Sequence, residues 1–485
     1  MGWLHNWLGL LLGWLLFVIF VTGSFGYYRH EVTLMMTPEL HDLAAVQVPQ
    51  VDAAQRGVEW LSANASGAEE WGILLPDEKS PALRVSWSGL TPGEQILDPR
   101  TGHPLAVAPR QTGGGDFLYR IHSDLHFISP IAGRILASLI AVALLVLLIT
   151  GLITHRHIVR NMFRFRRGKG WRTRLDVHNL TAVLGLPFHL FITLTALVTV
   201  MMLVMPWGVA SVYGANGIGA FAEESFPQVT VKGRVEQGST PELAPLIGRA
   251  LQHWRTDSVG EINIEHPGAH GSRITLAHPI RGIAQFRKPS MTFDAADGRL
   301  LGTTNDQLST VSLLHSQLFG LHVGHFAGPT FRFALFWLGL VGAAMVATGH
   351  LLWTAKRWRI NANVAGPPQQ RPAVLIVHRL NAAVFAGLPL AIAAYFWANR
   401  IIPASTAERP VLEQNAMFIV WGAAAALALL APARFVWRTL LYLGGGALLT
   451  LGILNLSTGP GNLIMAMNLC ILGAASIGTA LRLTR

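Results

Sequence analysis

Val177-His-Asn-Leu-Thr-Ala-Val-Leu-Gly-Leu-Pro-Phe-His-Leu-Phe-Ile-Thr-Leu-Thr-Ala-Leu-Val-Thr-Val-Met-Met-Leu-Val-Met205 runs 29 residues without an Asp, Glu, Lys or Arg, yet it holds two histidines. About 20 apolar residues in a helix cross the hydrocarbon of a bilayer, so this stretch is long enough to span one. Ionisable side chains are costly in that medium, and imidazoles there call for a reason. His178 and His189 are 11 residues apart. At about 100° and ~1.5 Å per residue they differ by ~20° in azimuth and lie ~16 Å apart along the axis. One helix face therefore offers two imidazoles at two depths. Imidazole is a good axial ligand for haem iron, and helix bundles carry such ligands at inward-facing positions.

Seven more segments share this character: 4–26, 131–153, 331–353, 373–398, 413–431, 439–456 and 462–481, the last two short and Gly-rich. The chain has 485 residues, of which 51% are hydrophobic and 13% charged, the balance of a membrane protein with some water-exposed mass. Its net charge of +11 is unevenly spread, with eight Lys or Arg and no acid between His155 and Arg174 and four more from Lys356 to Arg371. Both runs lie between apolar spans, so the positive-inside rule accounts for them and places those loops in the cytoplasm. No nucleic-acid partner is expected. Eight spans put both termini on the cytoplasmic side and the long loops outside. The first of these carries 13 acids against 7 bases, opposite in sign to the inner loops. The only cysteine, Cys470, excludes an intrachain disulfide, a Cys-rich metal site and a covalent c-type haem. Trp3–Tyr28 lacks a basic leader and a clear cleavage site, and is expected to stay as the first span.

The expected order is a transmembrane helix at 1–26, an outer domain at 27–130, a second helix at 131–154 and a basic cytoplasmic loop at 155–175. A third helix at 176–205, a second outer domain at 206–328, a fourth helix at 329–354 and a cytoplasmic loop at 355–372 follow, then a C-terminal four-helix region at 373–485. Both outer loops read as small α+β domains. The first has a helical stretch at Asp52–Ala63 and strands at Ala82–Ser86 and Gln95–Leu97. The second has an amphipathic helix at Glu242–Trp254 and strands at Glu261–Glu265, Arg273–Ala277 and Ser290–Phe293. The turns Asp98-Pro-Arg-Thr-Gly102 and Asp294-Ala-Ala-Asp-Gly298 share the pattern Asp-x-x-x-Gly-x-x-Leu, ending at Leu105 and Leu301. Glycine supplies the positive φ such a turn needs. The recurrence belongs to an internal duplication. Leu4-His5-Asn6 opens span one and Val177-His178-Asn179 opens span three, 173 positions on; Thr150-Gly151 and Thr348-Gly349 close spans two and four. The fold expected is an all-α polytopic membrane protein with a duplicated four-helix core, four further helices and two α+β outer domains.

Histidines collect at the edges of these spans. His5, His155 and His178 are expected to surround one haem at the inner edge, with His378 on the same side. His122, His126, His315, His322 and His325 are candidates for a second haem at the outer edge, and His189 is expected between the two levels. His30, His41, His103, His157, His253, His266, His270 and His278 read as ordinary surface or loop residues. Arg120 and Arg134 could steady haem propionates or an anionic substrate, or anchor the interface. A zinc site has little support, because Ser123-Asp124-Leu125 between His122 and His126 lacks the glutamate of the metalloprotease pattern. Gly-Ala-Asn-Gly-Ile-Gly at 214–219 follows a span rather than a strand and is no nucleotide fingerprint. Electrons would have to come from another molecule.

Tyr119-Arg-Ile-His-Ser-Asp-Leu-His126, Gly151-Leu-Ile-Thr-His155, Leu175-Asp-Val-His-Asn179 and Leu186-Pro-Phe-His-Leu-Phe-Ile-Thr193 resemble the PepSY-associated transmembrane proteins of Gram-negative bacteria. The likeness continues through Leu314-His315 and His322 to Trp353-Thr-Ala-Lys356, and the Asp-x-x-x-Gly turns are similar to those of PepSY domains. The longer, iron-regulated, PiuB-like branch is the most similar. The resemblance implies a bacterial inner-membrane protein with two periplasmic PepSY-like domains. It further implies two b-type haems, an unidentified cytoplasmic electron donor and reduction of ferric siderophores in the periplasm for iron uptake. By motif matching it carries haem ligation to His5, His126, His155, His178, His189, His315 and His322, with His122, His325, His350 and His378 as weaker candidates. His350 and His378 stand where the family pattern has other residues, and shorter members lack the C-terminal helices. A haem-free permease component and a PepSY-type regulatory anchor are the competing expectations.

Overall fold

The computed structural model describes residues 2–43, 47–154, 171–214, 216–225, 242–269, 271–279, 284–304, 308–362, 372–458 and 463–483. Along the chain come α1 (Gly2–Gly26), α2 (Arg29–Met35), α3 (Gln50–Asn64), β1 (Glu70–Leu74), β2 (Leu83–Ser88) and β3 (Gly93–Leu97). Next are α4 (Gly114–Asp124), α5 (Pro130–Thr154), α6 (Trp171–Thr199), α7 (Pro206–Tyr213), α8 (Gly217–Ser225) and α9 (Leu243–Trp254). Four strands follow, β4 (Glu261–Glu265), β5 (Arg273–Ala277), β6 (Ser290–Asp294) and β7 (Leu300–Thr304), then α10 (Thr310–Val323) and α11 (Pro329–Ala362). The chain ends in α12 (Pro372–Asn381), a π-helical turn at Ala382–Ala386, α13 (Gly387–Ile401), α14 (Arg409–Leu430), α15 (Ala433–Thr458) and α16 (Leu463–Arg482).

Among the described residues eight helical stretches are long and apolar enough to cross a membrane, and each matches an expected span. The third stops at Thr199 rather than Met205; a short helical turn at Met201–Val204 follows, and α7 starts at Pro206, a residue suited to a helix start. The Gly-rich last two spans are full helices for a packing reason. A Cβ on Gly445 would meet the Gly473 carbonyl oxygen at 2.8 Å, and one on Gly452 would meet Cys470 Sγ at 2.5 Å. Small residues let these two helix backbones approach closely in the absence of a hydrophobic drive from lipid.

Two compact units emerge, one of Met1–Met36, Gln111–Val200 and Gly328–Arg485, the other of Thr37–Arg110 and Met201–Ala327. In the first, α1 packs on α5 and α11, and α6 packs on the same two helices, giving a four-helix ring. Its core includes Leu16, Phe17, Phe20 and Phe25 from α1, Leu144 and Leu147 from α5, and Phe336 and Met345 from α11. The C-terminal helices join that core through Phe385, Leu388, Tyr395 and Phe396.

The second unit is built on one antiparallel sheet in the order β3-β2-β1-β4-β5-β6-β7. The two long loops between spans one and two and between spans three and four are both α+β, as expected, and they share this sheet: β1 pairs with β4, setting Trp71 opposite Ile264 and Ile73 opposite Ile262. Alternate residues from both loops, including Ile73, Val85, Ile262, Ile264, Ile274 and Phe293, enter a single buried core with Ala54 and Leu61 of α3 and Leu246 and Ile247 of α9. The duplicated turns close alike. Gly102 N–H donates to Asp98 O (2.8 Å) at φ +72°, and Gly298 N–H donates to Asp294 O (3.0 Å) at φ +69°.

Candidate functional site

His5 and His178 occupy equivalent places in the two halves. His5 Nδ1 lies 3.1 Å from Leu147 O and 3.4 Å from Thr150 Oγ1, and its ring rests on Gly151, where a Cβ would come within 3.2 Å of Cε1. His178 Nδ1 lies 2.9 Å from Met345 O and 3.4 Å from Thr348 Oγ1, and its ring rests on Gly349, where a Cβ would come within 3.1 Å. The partners in α11 stand 198 positions after those in α5 in all three cases. A carbonyl oxygen only accepts, so Nδ1 carries the proton and Nε2 keeps its lone pair. Metal-binding imidazoles are held the same way, with the other ring nitrogen donating to a backbone carbonyl.

A second layer lies farther along α1. His122 of α4 donates from Nδ1 to Ile19 O (2.9 Å), with its ring in the notch left by Gly23. Burial pushes its pKa below the ordinary value, against the pull of the Ile19 carbonyl and Asp124, so the neutral ring is favoured. His189 of α6 is fully buried, with Nε2 at 3.1 Å from Leu338 O, its ring 5.3 Å from that of Phe20, and notches at Gly185 and Gly342. Its Nδ1 has no hydrogen-bond partner. His189 thus lies beside Phe20, whose neighbour Ile19 supplies the carbonyl that His122 meets. Counted along α1, His5 and Phe20 are 15 residues apart, roughly 22 Å.

His126 differs. Leu125 and His126 both adopt left-handed backbone (φ +56° each), so α4 ends at Asp124 and the i,i+4 relation of His122 and His126 is broken. While His122 faces α1, the His126 ring stacks on Phe418 of α14 at 5.5 Å and 19°. Burial and the nearby Arg120 lower its pKa. Arg134 Nε donates to Asp124 Oδ1 at 3.0 Å, tying the start of α5 to the end of α4.

His350 has a polar neighbour at each ring nitrogen: Nε2 lies 3.1 Å from Gly9 O, and Nδ1 lies 3.1 Å from Asn381 Oδ1, an atom that accepts from Trp14 Nε1 (3.0 Å). That set of bonds suits a packed structural imidazole better than an axial ligand. His378 of α12 lies edge-on to Trp358 at 6.4 Å. His315, His322 and His325 belong to the sheet-bearing unit, the first two on α10 and the third just beyond it. His315 is buried edge-on to Phe221 at 5.4 Å, and burial followed by the Arg287 charge lowers its pKa. His155 lies outside the described residues. Among the described residues no three His, Cys, Asp or Glu side chains gather as a metal-ion site.

Three features of these histidines would suit a haem. Nδ1 of His5, His178 and His122 is held by a carbonyl, a buried ring nitrogen of His189 is orphaned, and glycine notches let each ring lie against a neighbouring backbone. Sequence reasoning missed Gly23 and Gly342 as notches beside His122 and His189, and Gly13, Asn381 and Trp14 as neighbours of His350. The polar Asn381 amid an apolar span was the one available signal.

These features define a polytopic membrane protein with histidines in two layers of a duplicated four-helix ring. The pattern of the PepSY-associated TM region matches residues 2–356, and the chain belongs to that family. It is also similar to the uncharacterized protein PA4219 of Pseudomonas aeruginosa, with 29% identity over 371 residues, covering 70% of this chain and 86% of that protein.

Proposed function

We propose that this protein is an inner-membrane b-type di-haem oxidoreductase that passes electrons from the cytoplasmic side to the periplasm and reduces ferric siderophores there. The observation that carries this reading is the matched pair His5 and His178, each with Nδ1 on a carbonyl and its ring in a glycine notch. His5 and His178 would hold the first haem, and His122 and His189 stand at the level of the second, with His126, His155, His315 and His322 as further candidates from the family pattern. Bound haem supplies one-electron redox chemistry, which the protein tunes through axial ligation and a low-dielectric surround. The chain's own part is to fix each imidazole in one tautomer, to keep water from the ring with Phe17, Phe20 and Phe336, and to set two layers on a path across the bilayer. Reduction of Fe(III) weakens its hold in a hard-oxygen chelate, which suits release of iron outside the membrane.

A reduced-minus-oxidised visible spectrum of the detergent-purified protein, with a pyridine haemochrome assay, tests the reading. The expected result is a b-type spectrum with about two haems per chain, followed by reduction of a ferric hydroxamate by the dithionite-reduced protein. A colourless preparation from haem-replete cells overturns it in favour of a haem-free permease component or a PepSY-type regulatory anchor.

A further inference from the structure

The chain leaves the helical unit after Met36 and re-enters it at Gln111, and both crossings are gripped by the C-terminal helices. At the first, Asn399 Nδ2 donates to Met36 O (3.0 Å) and Arg400 Nη2 donates to Met35 O (2.8 Å) and Asn455 Oδ1 (2.7 Å). At the second, Arg409 Nη1 donates to Gln111 O (2.9 Å), and Glu413 Oε2 accepts from Thr112 Oγ1 (2.6 Å) and Gly113 N–H (3.2 Å). Tyr395 O–H donates to Gly114 O (2.9 Å). Joining the two sets is an ion pair between Arg409 and Glu413, both fully buried, with Asn399 Nδ2 also donating to Glu413 Oε1 (2.8 Å).

Two charges taken wholly out of water are retained at a cost in desolvation, and the best-attested return is fixing one arrangement over others. The segment they fix is Thr112-Gly-Gly-Gly115. A Cβ on Gly113 would meet Tyr395 Oη at 2.7 Å, Gly114 has φ +52°, and a Cβ on Gly115 would meet Arg29 O at 2.1 Å. The backbone is thus pressed between α2 on one side and α13 on the other, and only glycine fits. It leads directly into α4, where Arg29 pairs with Asp116, His122 reaches Ile19 O, and His126 beyond the helix end stacks on Phe418 of α14.

We propose that the C-terminal helices are a brace that sets the height and rotation of α4, with the Arg409–Glu413 pair at its centre, and so positions His122 and His126. Arg409, Glu413, Asn399 and Tyr395 are positioning residues. This assigns a role to a region that extends beyond the family match ending at residue 356. What is positioned rests on the haem reading, but the brace itself does not.

The test uses full-length protein and two shape-keeping variants: Tyr395→Phe, which deletes the bond to Gly114 O, and Thr112→Val, which deletes the hydroxyl's bonds with Glu413, Gly114 N–H and Asn399. Trp421→Phe is the control, since it removes a bond to Ala383 O within the C-terminal helices and touches neither crossing. Hydrogen exchange over residues 113–124 is expected to rise about tenfold in both variants and to stay at the wild-type rate in the control. Potentiometric titration is expected to show one of the two haem midpoints displaced and the other unchanged. Wild-type exchange in both variants overturns the brace. Faster exchange with neither midpoint moved overturns the positioning role. A wild-type protein without haem overturns the functional reading instead, and exchange alone then decides the brace.

Discussion

His178 of α6 rests against Gly349, the residue before His350 on the facing helix α11, yet bonding sets the two histidines apart. His178 holds Nδ1 on Met345 O as His5 holds its own on Leu147 O, whereas both nitrogens of His350 lie against Gly9 O and Asn381 Oδ1. Replacing His178 by Ala should therefore remove one haem, read as about half the haemochrome signal per chain in protein that still elutes as a single species. His350→Gln should keep the full haem content and lower stability by about 1–3 kcal/mol, the cost of leaving buried partners unmet, seen as an earlier thermal transition. Equal haem loss in both variants would refute the distinction. A titratable residue outside the spans gives a pH dependence. Asp98 takes hydrogen bonds from Arg100 Nε (2.9 Å) and Nη2 (2.5 Å) and from the Arg100 N–H (2.8 Å), and this partner holds its carboxyl below the ordinary 3.8. The folded state thus binds that proton less readily than the unfolded chain. The stabilisation is complete above pH ~4 and is lost as pH falls further. Because Arg100 is half exposed, solvent screens the pair and its contribution is small. Asp98→Asn should lower the melting temperature of the sheet at pH 6, and the deficit should shrink as pH falls below about 4, by circular dichroism.

At the level of elements, the histidines depend on what faces them. Each core imidazole lies on a glycine of a neighbouring or its own helix, and the notch at Gly342 is shared by Phe20 and His189, whose atoms lie 2.6 Å and 2.9 Å from where a Cβ would be. Gly342→Ala should force both rings to move, costing about 1–3 kcal/mol and shifting the α-band of one haem, while Gly422→Ala, with nothing within 4 Å, should do neither. Hydropathy alone located every span, because length and apolarity are local properties that tertiary packing does not override in a bilayer. Strands β4 and β5 were legible from alternation, but β1 and β7 were not. Glu70-Trp-Gly-Ile-Leu74 carries glycine at its centre and Leu300-Leu-Gly-Thr-Thr304 has too few apolar residues to alternate. The split between His122 and His126 was invisible for a different reason. Leu125 and His126 enter the left-handed region without being Gly or Asn, so nothing local announces the end of α4. Histidines could be counted from the sequence. Which carbonyl each one meets is decided across helices.

Across the whole molecule, the duplication is both obeyed and broken. The helical ring repeats faithfully, from His5 on Leu147, Thr150 and Gly151 to His178 on Met345, Thr348 and Gly349. The outer modules do not stand as two copies side by side but pair edge to edge through β1 and β4, so that each hides the other's open strand. An unpaired strand edge presents a row of unmet backbone groups and invites association with other chains. The shared core has the same consequence, since Ile73 and Val85 from the first loop and Ile262 and Ile264 from the second are all at most 1% exposed within it. The apolar faces of both loops meet in one core, and the duplication therefore yields one sheet-bearing unit rather than two. Residues 37–110 or 242–304 expressed separately should be unfolded or aggregated, whereas the two joined by a flexible Gly/Ser linker should give a soluble sheet with one cooperative thermal transition. Circular dichroism and size exclusion of the three proteins decide it. A folded monomer from either half alone would show that the β1–β4 union is a contact between independent domains, and the single-core account of this unit would fall.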